Sequence, residues 1–393
     1  MMRSVSQPEG VQSATVARIT VHINHRLSHK LYDSLKELNV GRFFVEPSRM
    51  VLLQEKKRRS RLFARVLSLD ENPAERISFC LPTDRVSQVA TSLVQEFRFD
   101  LAGRGSLYIE HVTSYSPGRS TVHDSDEQSN EEAPSTASLD GFRTGLTGMT
   151  FILSNPDAGN QVAKTALELG VCVPYISLGV GTGIRDQLGL LRVTIPAEKE
   201  IVELVAPDHD AEGLLRLIVD ECRLNQPGRG FAYLYPIHSA ALSPRLRIGR
   251  QEHAASIEQI IGAIDELRGE TRWRTRFATA GEQSDQADSL KRDEREVSLI
   301  CSEGHSDSYV ATASRIGVRG ATTSKIRALG TDADADAAPV GVVAHERTTM
   351  IVSASLVESL VQGIVEDGLF EAENTGRIEI TDVTAAYSYR RKR

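Results

Sequence analysis

The sequence predicts an α+β fold in which one small supersecondary unit occurs three times. In three stretches the same elements follow in the same order: strand, helix, strand, loop, strand, helix, glycine turn and strand. The first strands begin near residues 17, 149 and 297, and the turns repeat a glycine at Gly103, Gly228 and Gly376. A triplicated unit of this size predicts a trimer folded into one polypeptide, an intramolecular pseudo-trimer with ligand sites in the clefts between copies.

The first copy, residues 16–113, begins with a strand in which apolar and polar residues alternate. Ile19, Val21 and Ile23 are the apolar members of this pattern. Leucines at helical spacing then predict a helix over Leu27–Leu38, which stops before Gly41. The other predicted elements are strands at Phe43–Glu46 and Glu75–Leu81, a helix at Val86–Phe97, a turn at Ala102–Gly105 and a strand at Ser106–Val112.

The middle copy, residues 145–250, gives the repeat most clearly. Its first helix ends at a glycine, Gly170, and its glycine-punctuated stretch from Gly179 to Pro196 predicts a loop. The predicted elements are strands at Met149–Ser154, Val173–Gly179, Glu200–Ala206 and Ala232–Ile237, helices at Pro156–Gly170 and Asp210–Leu224, and a tight turn at Pro227–Gly230.

The third copy, residues 295–389, ends with a strand of clean alternation, RIEITDV. Its predicted elements are strands at Val297–Ser302, Thr323–Leu329, Thr348–Ser353 and Arg377–Val383, helices at Ser306–Ile316 and Leu356–Glu366, and a turn at Asn374–Gly376.

Two joints separate the copies. Residues 114–144 are rich in Ser, Asp and Glu, the composition of a disordered linker. Residues 251–294 combine an amphipathic helix with a polar linker. The apolar face of this helix predicts that it buries a seam between the second and third copies, and a partner-binding helix is the alternative. That face consists of Ile257, Ile260, Ile261, Ile264 and Leu267.

Composition limits the classes of protein that the chain can be. The 393 residues are 40% hydrophobic and 25% charged, no run of 18 apolar residues predicts a membrane span, and the N-terminus has no apolar core typical of a secretory signal. A net charge of −7 argues against nonspecific nucleic-acid binding. The cysteines are far apart and predict buried thiols in a reducing, cytoplasmic compartment; they are Cys80, Cys172, Cys222 and Cys301.

A short stretch of the middle copy resembles the PII nitrogen-regulator family. Residues 227–237 read PGRGFAYLYPI, and residues 244–250 read PRLRIGR. In that family a glycine turn leads into the last strand, and two alternating arginines follow it. The resemblance covers about 100 residues well, and the other copies match by pattern only. It implies three ferredoxin-like βαββαβ units of PII type.

The resemblance also implies where an adenine nucleotide such as ATP or ADP would bind. The turn Gly228-Arg229-Gly230 matches the turn that approaches nucleotide phosphates, where glycines let backbone N–H groups come close to anionic oxygens. Arg245 and Arg247 match the alternating arginines that reach a neighbouring unit's phosphates, and would serve a different cleft from that turn. The family's mobile loop begins near Gly179, Gly181 and Gly183.

A possible second cleft combines another glycine turn with the basic C-terminus. The turn is Gly103-Arg104-Gly105, and the tail carries Arg390 and Arg391. Each candidate site also has an interpretation without a ligand. The two glycine turns would be tight helix-to-strand turns, Gly179–Gly183 the base of a flexible loop, Arg245 and Arg247 a solvated edge, and the C-terminal tail a frayed end. The basic run from Lys56 to Arg59 is either a solvated loop or a contact for an acidic partner or membrane surface.

The chain departs from the family at several positions. Arg229 stands where the family usually has Asp, Phe231 replaces the turn lysine, and Gln187 matches the family's 2-oxoglutarate site poorly. The three expected mobile loops, 47–74, 180–199 and 328–347, contain no tyrosine, so control by nucleotidylation of a loop tyrosine is not expected.

We therefore expect a PII-like signal-transduction protein rather than an enzyme. It would sense an adenine nucleotide and regulate a partner such as a membrane transporter or metabolic enzyme, in nitrogen or inorganic-carbon control. No catalytic elbow, Walker loop or metal-ligand spacing is present in the sequence, so no catalytic or metal residue is predicted. Two alternatives are a scaffold of the same fold without ligand, and an amino-acid-sensing module.

Overall fold

The computed structural model describes residues 11–56, 66–117, 141–155, 157–183, 198–243, 246–247, 290–330, 343–371 and 376–389. Three segments are distinguished below: the first segment (11–117), the second segment (141–247) and the third segment (290–389). The predicted joint helix, residues 256–267, and the polar stretch 118–140 lie outside the described residues.

Each segment supplies four long strands and two helices. The first segment contains β1 (Val11–Asn24), α1 (Ser28–Glu37), β2 (Phe43–Lys56), β3 (Val66–Leu81), α2 (Thr83–Phe97) and β4 (Gly105–Pro117). The second contains β5 (Leu146–Leu153), α3 (Ala158–Glu168), β6 (Tyr175–Gly183), β7 (Glu198–Pro207), α4 (Asp208–Glu221), β8 (Gly230–Ile237), β9 (Ser239–Ala241) and β10 (Leu246–Arg247). The third contains β11 (Leu290–Lys291), β12 (Glu294–Ser302), α5 (Ser306–Ile316), β13 (Gly320–Leu329), β14 (Val343–Ser353), α6 (Val357–Glu366), β15 (Arg377–Val383) and β16 (Ala385–Ser388).

The four long strands of each segment are antiparallel and lie in the same spatial order. That order is second, third, first and fourth along the chain: β2-β3-β1-β4, then β6-β7-β5-β8, then β13-β14-β12-β15. The predicted α+β class is therefore confirmed.

Strand pairing between the segments is cyclic. The second strands of the segments pair with one another, β2 with β6, β6 with β13 and β13 with β2. The end of the fourth strand, or the short strand after it, also pairs with a neighbouring segment. Thr113–Tyr115 at the end of β4 pairs with β15 of the third segment, β9 pairs with β4 of the first, and β16 pairs with β8 of the second.

Each segment has its own apolar core between its strands and its two helices. In the first segment Ile19 and Val21 of β1 pack with Leu35 of α1 and Leu93 of α2. Corresponding clusters in the second and third segments include Phe151 with Ile218, and Leu299 with Ile364. The opposite face of the strands is also buried, because it faces the other segments, and it is polar: Arg18, Thr20 and His22 alternate with the apolar residues of β1.

Two of the predicted loops are partly strand. The stretch 47–74 was expected to be a mobile loop, but β2 and β3 pair continuously from Phe44–Ser78 to Lys56–Val66. Met50 and Leu52 are fully buried on one face of this ribbon and Val51 on the other, so apolar burial favours the pairing on both faces. The expected loop 328–347 likewise contains the paired residues 343–347 of β14.

Candidate functional site

The two predicted glycine turns adopt the same backbone conformation. Gly103 and Gly105 have φ angles of 79° and 148°, and Gly228 and Gly230 have φ angles of 74° and 149°. Between the glycines, the Arg104 carbonyl accepts a hydrogen bond from the Asn24 amide at 2.8 Å, and the Arg229 carbonyl accepts one from the Ser154 amide at 2.9 Å. Each turn is thus attached to the end of its segment's first strand.

The second glycine of each turn is required by the packing of the backbone. A Cβ atom at Gly105 would overlap the His22 carbonyl oxygen, and one at Gly230 would overlap the Ile152 carbonyl oxygen. Both φ angles also lie in the region that side chains disfavour. The structural interpretation of these glycines therefore has a physical basis, and phosphate binding at the turns stays a prediction.

The turns differ in what covers them. Gly228 is exposed, whereas Gly103 is buried. Next to the first turn, the Ser243 hydroxyl donates to the Leu101 carbonyl at 3.4 Å, and the Ser243 amide donates to the Ser106 hydroxyl at 3.0 Å. Ser243 of the second segment therefore contacts residues on both sides of the turn of the first.

The predicted loop base at Gly179, Gly181 and Gly183 is a strand instead. All three residues belong to β6, and Gly181 and Gly183 pair with Thr322 and Gly320 of β13. A Cβ atom at Gly179 would lie 2.9 Å from the Thr322 Cγ2 atom, so glycine permits the close approach of two strands. The prediction of a flexible loop over Gly181 and Gly183 is therefore wrong, whereas Gly179 was also the predicted end of the strand Val173–Gly179.

The predicted arginines lie only partly within the described chain. Arg245, Arg390 and Arg391 lie outside it, and Arg247 is in β10, which pairs in parallel with β2 at Gln54. The predicted second cleft therefore stays a prediction, and the register of the neighbouring described strands bears on it.

β9 precedes Arg245 in the chain and lies beside β4, the strand that begins at Gly105. In this pairing Ala241 is opposite Leu107. β16, in contrast, precedes Arg390 in the chain and lies beside β8, the strand that begins at Gly230. In this pairing Ser388 is opposite Phe231. The last described strand, β16, therefore ends next to the turn Gly228–Gly230.

A cluster of charged side chains fills the polar interior where the three segments meet. Arg18 of β1 lies 2.8 Å from Glu110, 3.3 Å from Glu379 and 3.6 Å from Glu296, so it joins the first segment to the third. The side chains that form this interior cluster are Arg18, Glu46, Arg76, Glu110, Glu203, Glu296, Arg347 and Glu379.

A second set of contacts in the interior cluster joins the first segment to the second. The Arg76 Nε atom lies 3.1 Å from Glu203 Oε2, and the His22 Nε2 atom lies 3.3 Å from the same oxygen. His22 is fully buried and stacks on Tyr175, with ring centroids 4.0 Å apart. Glu46 lies 3.8 Å from both Arg76 and Arg347, so its carboxylate joins the first segment to the third.

The carboxyl groups of the interior cluster have divergent proton affinities. Burial would raise the pKa of Glu203, but the Arg76 guanidinium, with His22 and Arg18, outweighs it and holds that pKa at about 2. Burial raises the pKa of Glu46 and of Glu296 despite their arginine neighbours. Burial also lowers the pKa of His22, which favours its neutral form. Five carboxyl groups thus share three guanidinium groups, and two of the five hold their protons more tightly than in water.

The interior cluster surrounds a cavity of about 40 Å³, counted as the space that water centres can occupy. Because one water needs roughly 10–15 Å³ on this measure, the cavity has room for a few waters and not for a nucleotide. Ser298 Oγ and Arg347 Nε have no hydrogen-bond partner among the described residues, and both line this cavity. Water is the occupant that fits their chemistry.

The interior cluster was not predicted from the sequence. Its members occur one at a time, within strands separated by tens to hundreds of residues. The sequence did contain one sign of it. Arg18, Glu110 and Glu379 are charged residues within apolar strand patterns, where a strand with one face in solvent would carry small polar residues.

Outside the interior cluster, three cysteines and the possible metal ligands of the described residues are candidate functional groups. Cys172, Cys222 and Cys301 are buried, and burial raises the pKa of Cys222 to about 11 and that of Cys301 to about 12. Within the described residues, no group of three or more histidine, cysteine, aspartate or glutamate side chains could hold a metal ion. In the same part of the chain, no helix has the length and apolar character needed to cross a bilayer.

Comparisons with known proteins identify no family for the chain. No protein-family profile matches it, and no curated protein matches it. One solved structure with a partial likeness is the aspartate kinase from Synechocystis, at 10% identity and a TM-score of 0.18. The alignment covers 96% of this chain and 45% of the kinase chain, so this chain spans less than half the length of that protein.

Proposed function

We propose that the chain is a PII-like regulatory protein, built from three ferredoxin-like units as an intramolecular pseudo-trimer. In this proposal an adenine nucleotide binds in a cleft between units and alters how the protein docks on a regulated partner, such as a transporter or metabolic enzyme. The proposal rests on the sequence resemblance and on the cyclic strand pairing. An effector can act in this way only if its affinity differs between two states of the protein.

The observation that carries the proposal is the position of each glycine turn beside a strand from another segment. The pair Ser388–Phe231 brings the third segment next to Gly230, and the pair Ala241–Leu107 brings the second segment near Gly105. A site that combines a glycine turn of one unit with cations of the next needs this juxtaposition.

The turn Gly228–Gly230 is the better candidate of the two. Gly228 is exposed and Arg229 is half-buried, whereas Gly103 of the first turn is buried. Backbone N–H groups of an exposed glycine turn can approach phosphate oxygens without obstruction by side chains. The nucleotide is therefore expected at the joint of the second and third segments.

Calorimetric titration of the full chain with ATP, ADP, AMP and cyclic AMP tests the proposal. We expect micromolar binding of one adenine nucleotide, with fewer than three sites per chain. The variant Arg229→Ala should weaken binding at least tenfold, and Arg104→Ala should weaken it less. Arg319→Ala, a change at an exposed arginine of the third segment, is the matched control and should leave binding unchanged.

A ligand-free scaffold of the same fold is the second candidate, and one observation favours it. The packing of the backbone already requires glycine at Gly105 and Gly230, so no ligand is needed to account for these residues. If no nucleotide gives heat or raises the unfolding temperature, the sensor proposal fails and the scaffold becomes the better interpretation.

A further inference from the structure

Two histidines from different segments meet at the joint between β4 and β9. His111 lies on β4 of the first segment, and His238 lies just before β9 of the second. Their ring centroids are 4.7 Å apart and the ring planes are inclined by 70°. The residues are 127 positions apart in sequence (238 minus 111), so this contact is created by the pairing of the segments.

The backbone around this histidine pair is fixed by hydrogen bonds. The His238 amide donates to the Ile109 carbonyl at 2.9 Å, and Ser239 pairs with Ile109 in the antiparallel register. His111 in turn pairs with Ala17 of β1. The two Cα positions are therefore held by the sheet. Each imidazole ring can be reoriented by rotation about the side-chain bonds alone.

Both rings remain accessible. His111 is exposed and His238 is half-buried. Among the described residues, neither ring has a hydrogen-bond or ion-pair partner, and the two rings contact each other. Imidazole nitrogens that are accessible and not otherwise engaged are available as metal ligands.

The separation of the rings suits two ligands of one metal ion. A zinc–nitrogen bond is about 2.0–2.1 Å, so each ring centroid would lie roughly 3.2 Å from the ion. At ligand angles between cis-octahedral and tetrahedral, roughly 90–110°, two such centroids are about 4.5–5.2 Å apart. The observed 4.7 Å falls within this range.

We propose that His111 and His238 form a binding site for a divalent transition-metal ion, with water completing the coordination. Imidazole selects Zn²⁺, Ni²⁺ and Cu²⁺ over Mg²⁺ and Ca²⁺, which prefer oxygen ligands. Because the ligands come from two segments, the bound ion links the first segment to the second. The site is independent of the glycine turns, so its presence or absence does not bear on nucleotide binding.

Titration of the metal-free full chain with Zn²⁺ tests this proposal, with Ni²⁺ as a second probe. We expect one equivalent of Zn²⁺ to bind with a dissociation constant in the micromolar range and to raise the unfolding temperature. His111→Gln and His238→Gln should each weaken Zn²⁺ binding at least tenfold. Mg²⁺ at the same concentration should produce no shift.

Two control variants separate this pair from other histidines. His29→Gln changes a histidine of α1 that follows His25 by four positions in sequence, and His209→Gln changes an 80% exposed histidine that lies 3.4 Å from Asp210. Both variants should bind Zn²⁺ as the unchanged protein does. If either control weakens binding as much as His111→Gln, the ion is bound elsewhere and the proposal is wrong.

Electron paramagnetic resonance of the Cu²⁺-loaded protein gives a readout that does not depend on variant stability. The unchanged protein should show hyperfine coupling to two equivalent imidazole nitrogens, and His111→Gln should show coupling to one. Coupling to a single nitrogen in the unchanged protein, or Zn²⁺ binding that survives both substitutions, would overturn the proposal.

Discussion

Arg76 of the first segment and Glu203 of the second form an ion pair across their joint, with 3.1 Å between Nε and Oε2. Glu203 lies opposite Thr150 in its own segment, and the corresponding positions in the other segments hold Ser78, opposite Thr20, and Thr349, opposite Ser298. Three identical subunits would bring three copies of one side chain together here. A single chain with three different segments can place opposite charges instead, and the pairs then favour one arrangement of the segments.

Replacing Arg18 with methionine should destabilise the protein strongly. Arg18 is buried with Glu110, Glu296 and Glu379, so its loss leaves carboxylates without a counter-charge. Breaking one partner of a buried ion pair costs about 3–5 kcal/mol of unfolding free energy. Urea unfolding followed by circular dichroism measures this change.

Lys164→Met is the control for that experiment. Lys164 and Glu168 form an exposed pair on α3, at 3.7 Å, which contributes less than about 1 kcal/mol. Equal effects of Arg18→Met and Lys164→Met would show that the interior cluster does not stabilise the joint between the first and third segments.

The effect of Glu203→Gln should depend on pH. Glu203 has a folded-state pKa of about 2, below its value of about 4.3 in an unfolded chain. Its ionised form therefore stabilises the fold above pH 4.3, and this contribution is lost as pH falls through 2. At about 1.4 kcal/mol per pKa unit, the variant should be about 3 kcal/mol less stable at pH 7 and closer to the unchanged protein near pH 2–3. A destabilisation that stays constant from pH 7 to pH 3 would contradict this assignment.

Glu46→Gln should have the opposite dependence on pH. Burial raises the folded-state pKa of Glu46 above its unfolded value, so the neutral carboxyl is favoured in the fold. This contribution is complete below pH 4.3 and is lost as pH rises through the raised pKa. The variant keeps a neutral side chain of similar shape, and we expect it to be at least as stable as the unchanged protein at pH 8. Unfolding midpoints between pH 4 and pH 8 test this, and a variant that is less stable at pH 8 than at pH 4, relative to the unchanged protein, would refute it.

Local patterns predicted most of the elements, and contacts between distant residues decided the rest. The helix over Ser306–Ile316 and the strand Arg377–Val383 have the bounds that their apolar periodicity predicts. Gly181 and Gly183, in contrast, are typical of a loop in sequence, and belong to β6 because they pair with Thr322 and Gly320 of β13 in another segment. No local pattern carries that information.

The same limit applies to the candidate sites. The sequence predicts the glycine turns, because their residues are adjacent. The interior cluster and the histidine pair could not be predicted in this way, since they require the register between segments. Arg18 meets Glu379 only because β4 pairs with β15 across the joint. Single charged residues within apolar strands were the available sign that the second face of the sheet is buried as well.

Gly230→Ala separates the structural role of the second turn from a role in binding. The new Cβ atom would overlap the Ile152 carbonyl oxygen, and the φ angle of 149° disfavours any side chain. Gly304→Ala is the matched control, because Gly304 also has a positive φ angle, 89°, but has no atom within 4 Å of the added Cβ. We expect Gly304→Ala to cost about 1 kcal/mol of backbone strain and Gly230→Ala at least ~2 kcal/mol more. Urea unfolding measures both, and equal costs would mean that the turn can move away from β5.

If the Gly230→Ala protein remains folded but no longer binds an adenine nucleotide that the Gly304→Ala protein still binds, then the turn also contributes to the nucleotide site.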